Sequence, residues 1–271
     1  MVDAVDTWRS RWPAAAGRAR GSLAGRLVLR FVAASGYDRA LALATQAFVG
    51  LVPAAMLAAG VLSGDPTSAQ HWLVARLDLG EQASQAVNDL TRIAPVADPP
   101  SVVVATVLVV VTGLGFTRTL QRLYVAAWAL RPLGVRGYLQ GLLGVLVLVG
   151  GIAAGIAWRH GNPATATVHV VTTVLLWLPV QRLLLGDRVT LRQLLPGAVL
   201  VGVGQAMLTL FAAPFLRAAV VEHAARYGAI GVAFVLVSWL LLLSYLLVGA
   251  AVLSAELAGA PVPGVRPGDA Y

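Results

Sequence analysis

Cysteine is absent from the 271 residues. That removes disulfide scaffolds, Cys-ligated zinc, iron–sulfur clusters and thiol nucleophiles together. Lysine is absent too: all 20 basic residues are arginine, a compositional bias to which we attach no chemistry. Charge itself is scarce. Charged residues make up 12% of the chain and hydrophobic ones 58%, whereas a soluble domain carries about 25% charged residues. Half the usual charge cannot cover a water-facing surface of this size, which excludes an ordinary soluble globule.

What the chain does have is long runs without any charge. Six gaps separate its acidic and basic residues: Ala40–Gly64, Pro99–Thr117, Gly137–Trp158, His160–Gln181, Gln193–Leu216 and Tyr227–Ala255, of 25, 19, 22, 22, 24 and 29 residues. A helix needs about 20 apolar residues to cross a hydrocarbon core of about 30 Å. Lipid offers no partner to unpaired backbone groups, so the runs are helices rather than open strands. The expected fold is all-α: a polytopic membrane bundle of six spans with short amphipathic interfacial helices. The spans are expected near 40–63, 100–118, 137–158, 164–183, 195–216 and 228–254, the second borrowing residues beyond Arg118. The first run begins too late and is too long for the apolar core of a signal peptide.

Arginine placement orients the bundle. With an internal N-terminus, 15 arginines fall in cytoplasmic segments and 5 (Arg76, Arg92, Arg159, Arg217, Arg226) outside. Cytoplasmic loops carry such an excess, so both termini are expected in the cytoplasm. The net charge of +8 is then explained without nucleic acid. Residues 1–38 form a basic arm in which Leu23, Leu27 and Phe31 recur at helical spacing, with Arg26 and Arg30 on the opposite edge. The arm reads either as an interfacial helix with its arginines toward anionic headgroups or as a cytosolic extension of the first span. Segment 65–98 is expected outside, with an amphipathic helix around Ala83–Ile93. The proline-rich tail, 259–271, cannot extend the last helix and is expected to be a disordered cytoplasmic segment.

Catalytic chemistry finds no foothold in these residues. The four histidines, His71, His160, His169 and His223, stand outside any metal-ligand spacing, and no HExxH, paired-carboxylate or GxSxG pattern occurs. We therefore expect no enzyme, no metal and no cofactor. Polar groups within the spans are the better clues, because hydrocarbon makes them costly. Gln46 lies about two turns into the first span, and Pro53 should kink that span and free a carbonyl. Gln205 lies near the middle of the fifth. Interhelical bonding accounts for these amides as readily as a cavity does. If the first and fifth spans share a cavity, Gln46, Pro53 and Gln205 line it, with Arg122 and Arg182 at its cytoplasmic mouth, where they favour an anionic headgroup or solute.

Three stretches resemble the YihY/BrkB family of bacterial inner-membrane proteins, historically mislabelled ribonuclease BN. Ala44 to Pro53 is similar to the family's first span. Leu178-Pro179, Arg182 and Leu195-Pro196-Gly197-Ala198 resemble its basic loop and the entry to its fifth span. Tyr227-Gly228-Ala229-Ile230-Gly231, then Trp239 and Gly249-Ala250, resemble its last helix. One position departs: the family's acidic residue after Gly-Ala is Ala251 here, and Glu256 lies further on. The resemblance implies a protein associated with envelope integrity. The expected function is a carrier or translocator of lipid or anionic solute, with a non-transporting scaffold as the alternative. Membrane lipids are the expected partners. A reporter fused at residue 80 should read as external, and one fused at the C-terminus as cytoplasmic; residue 80 in the cytoplasm would overturn the topology.

Overall fold

The computed structural model describes residues 22–63, 99–131 and 165–263, together with positions 85 and 134. These residues form five helices: α1 (Leu23–Ala33), α2 (Gly36–Ser63), α3 (Pro99–Ala127), α4 (Thr165–Leu185) and α5 (Leu191–Leu257). No strand occurs among the described residues, in keeping with the all-α class. The expected span 137–158, the external segment 65–98 apart from position 85, the arm before residue 22 and the tail from 264 lie outside them.

Close approaches fix the registers. In α2 and α3, Gly50 faces Thr112 and Gln46 faces Gly115, so the two helices run antiparallel and Ser63 falls level with Pro99. The chain therefore leaves α2 and enters α3 at one end of the bundle. The C-terminal ends of α3 and α4 meet at the other: Gln121 Nε2 donates to the Leu184 carbonyl (3.4 Å) and Arg188 Nη1 to the Arg131 carbonyl (2.7 Å). With 21 residues, α4 is about 31 Å long, so residues 131 and 165 lie at opposite ends of it.

The sequence places a break between a fifth and a sixth span, and the structure locates that break in one residue. Helix α5 keeps helical backbone angles except at Gly228, whose φ of 58° and ψ of −139° are accessible only to glycine. The chain doubles back there, and Gly204 and Gly197 of the outgoing arm (191–227) meet Leu246 and Ser254 of the returning arm (229–257). The residues between the two expected spans, 217–227, are helical rather than a loop. Helix α2 runs unbroken through Pro53, so the sharp change of direction falls at Gly228, where the backbone conformation itself is non-helical.

One end of the bundle holds the larger core, and a smaller buried cluster of Val220, Ala224, Val232 and Val235 flanks the Gly228 corner. Ala40 and Leu43 of α2, Leu120, Leu123, Tyr124 and Ala127 of α3 with Trp128 just after it, Val180, Leu184 and Leu185 of α4, and Leu194, Ala198, Val248 and Val252 of α5 form a single buried cluster. Away from it, apolar side chains stay exposed: Val103, Val107 and Val111 on α3, Val171 and Leu175 on α4, Phe215 and Phe234 on α5. A soluble monomer rarely leaves such a surface in water. Among the described residues, Leu191–Leu208 (mean hydropathy 1.3) and Ala218–Leu257 (2.5) are long and apolar enough to cross a membrane. Two stretches thus meet that criterion, against the six expected.

Replacing Gly228 by alanine forces a Cβ into a glycine-only conformation and should lower stability by about 1–3 kcal/mol, read as a fall in the unfolding midpoint in detergent. Gly249→Ala, with open space around the new methyl, should leave the midpoint unchanged or raise it. Equal effects at the two positions would contradict the assignment of the corner.

Candidate functional site at the arginine-rich end

Helix α1 is positioned by charge. Its first turn is capped by Ser22, whose Oγ accepts from the Gly25 N–H (3.1 Å). Leu27 and Phe31 then pack against the core, and Phe31 stacks on Tyr245 at a centroid distance of 6.3 Å. Arg30 shares that inward face and is only 2% exposed. Its Nε donates to Glu256 Oε2 (2.9 Å), Nη1 to the Ala127 and Pro261 carbonyls (3.1 Å each) and Nη2 to the Ala260 carbonyl. Arg26 Nε donates to the other carboxylate oxygen of Glu256 (2.7 Å).

This corrects the sequence reading of the arm. Arg30 faces the protein rather than anionic headgroups, while Val28 and Val32 are exposed and Arg26 stays partly exposed. The reason is the carboxylate that ends α5: a buried guanidinium is tolerated where its donors are matched, and four of its five N–H groups are. The carbonyls come from a glycine turn. Gly259 takes a φ of +67°, with Gly259 N donating to Glu256 O (3.1 Å) and Ala260 N to Ala255 O (3.0 Å), a Schellman closure. The carbonyls of Ala260 and Pro261, just past that closure, receive Arg30.

Further arginines crowd the same end. Arg39 donates from Nη1 to the Arg122 carbonyl (2.8 Å) and from Nε to the Ala34 carbonyl (2.6 Å). Burial and the nearby Arg122 charge lower its pKa, and Asp38 opposes them; the group remains a cation. Between α4 and α5 the chain turns through Gly186 and Asp187, both with positive φ. That turn carries Asp187 to Arg182 (Oδ1–Nε 2.5 Å). Arg188 Nε donates to the Leu185 carbonyl (2.8 Å), and Gln193 Oε1 accepts from Thr190 N and Oγ1 (3.2 and 2.9 Å) at the start of α5. The resulting pocket, about 420 Å³, is lined by Arg182, Arg188 and Arg192 with Asp187 and Val189–Leu191. Such a constellation can hold an anion through charge-assisted hydrogen bonds. No group of three His, Cys, Asp or Glu residues suited to a metal occurs among the described residues.

The family described as virulence factor BrkB matches residues 27–267. The chain belongs to that family. No curated protein and no solved structure matches it. Family membership and the two apolar helices make it a membrane protein.

Within this BrkB-family fold, the residues singled out from sequence occupy different places. Arg122, exposed on the last turns of α3, and Arg182 both stand at the arginine-rich end. Gln46 is half-buried against Gly115, 2.7 Å from where a methyl on that glycine would sit, and so lies at the α2–α3 interface. Pro53 is buried within α2, and Gln205 is half-buried and bonded on the outgoing arm of α5.

The fully buried amide is a different one, Gln181. With its amide turned to satisfy both sides, Nε2 donates to the Leu194 carbonyl (3.1 Å), and Oε1 accepts from Trp177 Nε1 (2.8 Å) and the Tyr124 hydroxyl (3.3 Å). That network joins α3, α4 and α5. Its signal in the sequence is an amide between Pro179 and Arg182 at the end of an apolar run. Glu256 was equally legible as the acid that closes the last charge-free run. Replacing Glu256 by alanine strands Arg30 in the interior and should cost about 3–5 kcal/mol, measured as loss of the folded protein on heating in detergent. An unchanged midpoint would show that the ion pair holds nothing together.

Proposed function

We propose that the chain is a multi-pass protein of the bacterial inner membrane, with both termini cytoplasmic, that binds an anionic lipid or solute at its cytoplasmic face and carries it across. The observation that supports this reading is the distribution of arginine. Of the eleven arginines among the described residues, Arg26, Arg30, Arg39, Arg118, Arg122, Arg131, Arg182, Arg188 and Arg192 gather at the core end, and Arg217 and Arg226 lie toward the Gly228 corner. The positive-inside rule turns the first end to the cytoplasm, where the same charges attract anions. Gln46, Pro53 and Gln205 are the polar and helix-loosening positions a carried group would meet at membrane depth. The step requires no covalent chemistry and no metal.

A scaffold for envelope assembly is the second reading, and the filled core of the arginine-rich end favours it. Flux separates the two. In proteoliposomes a carrier moves labelled anionic lipid or solute above the rate of empty vesicles, and Gln205→Leu lowers that rate while leaving the unfolding midpoint nearly unchanged. A rate equal to that of empty vesicles would leave the scaffold.

A further inference from the structure

We infer that the pocket between α4 and α5 is a binding site for an anionic phospholipid of the cytoplasmic leaflet, its phosphate among Arg182, Arg188 and Arg192 and an acyl chain along the exposed ridge that starts at Leu191. The inference rests on the orientation proposed above and deepens it by naming the ligand class and its seat. Two independent features converge. The first is charge: three arginines and one carboxylate line the pocket, so it retains an excess of two positive charges for a phosphodiester. Among the described residues Asp187 engages Arg182 through Nε, and the terminal nitrogens of that side chain are the ones a ligand would meet. Basic pockets between membrane helices on the cytoplasmic side are a recurring seat for acidic headgroups.

The second feature is apolar and begins at the pocket wall. Leu191, Leu195, Val199, Val203 and Met207 follow one another at intervals of four, each between 38% and 56% exposed. Positions i and i+4 form a continuous ridge on a helix. From Leu191 to Met207 the ridge rises about 24 Å, more than the half-thickness of a hydrocarbon core of about 30 Å. A free phosphate or a water-soluble anion has no use for that ridge. A lipid uses both parts, with its head at the interface and its chain at membrane depth.

The test uses the full chain in neutral detergent, titrated with phosphatidylglycerol, phosphatidylcholine or inorganic phosphate, with the unfolding midpoint and the lipid retained in native mass spectrometry as readouts. Phosphatidylglycerol should be retained and should raise the midpoint; phosphatidylcholine should do so weakly and phosphate not at all. Arg182→Gln with Arg192→Gln should weaken retention of phosphatidylglycerol roughly tenfold or more. Arg192→Gln alone, in the exposed first turn of α5, should show part of the loss in a protein that folds normally. Leu195→Gln should also weaken retention, and Arg226→Gln, at the other end of the bundle, should not.

Equal retention of the two lipids would overturn the inference, as would an Arg226→Gln loss as large as that of the pocket variants. Undiminished binding by those variants, or a full midpoint shift with phosphate alone, would overturn it too. Binding and flux fail separately: selective retention without flux removes the carrier and keeps the site, and flux accompanied by undiminished retention in the pocket variants does the reverse.

Discussion

A guanidinium that is 2% exposed has to be matched on every side, and Arg30 imposes that condition on three parts of the chain. Its carboxylate comes from the last turn of α5, one carbonyl from the end of α3, and two more from the segment beyond Gly259. Withdrawing the carboxylate would leave a buried charge unpaired, at a cost of several kcal/mol, and withdrawing a carbonyl would leave a buried donor unsatisfied. Arg26 adds a second cation to the same carboxylate from a more exposed position. The clasp ties the first described helix to the last and closes the core beneath it. Phe31 and Tyr245 seal the adjoining contact.

Above the clasp, helices approach where side chains are missing. Membrane helices associate through close packing and interhelical hydrogen bonds rather than through expulsion of water. Gly197 meets Ser254 and Ala250 across the two arms of α5, so a side chain there would displace one arm. At the corner Gly228 supplies the backbone reversal, and Gly231 lies against the His223 carbonyl with no room for a Cβ. The Tyr-Gly-x-x-Gly stretch therefore has a mechanical meaning in this chain. Gln181 completes the arrangement by giving Trp177, Tyr124 and Leu194 hydrogen-bond partners inside the core.

Charge and apolar surface are segregated along the bundle. Arginines crowd the end where the core lies, whereas exposed valine, leucine and phenylalanine cover α3, α4 and α5 further along. Water would penalise that apolar surface and lipid accepts it. The pocket between α4 and α5 sits at the boundary of the two regimes, which is why a headgroup and an acyl chain can be addressed together there.

The helical class, a helix carrying Arg182 in its last turn before the α4–α5 turn, and the family were legible in the residues, because each follows from local patterns: charge-free runs, arginine placement and glycine-proline motifs read in order. Helix α2 begins four residues before the expected start of the first span, and α3 continues past Arg118 as its periodicity required. The tertiary structure alone decided which polar groups matter. From periodicity, Arg30 reads as a surface arginine and Gln181 is not singled out at all, since burial of a polar group depends on what arrives from distant sequence. Glu256 is 226 residues from Arg30, and no local pattern carries that pairing. The same holds for the α4–α5 pocket: Arg182 was legible as a basic residue, but its neighbours Arg188 and Arg192 converge on it only because the turn at Gly186 and Asp187 folds them back.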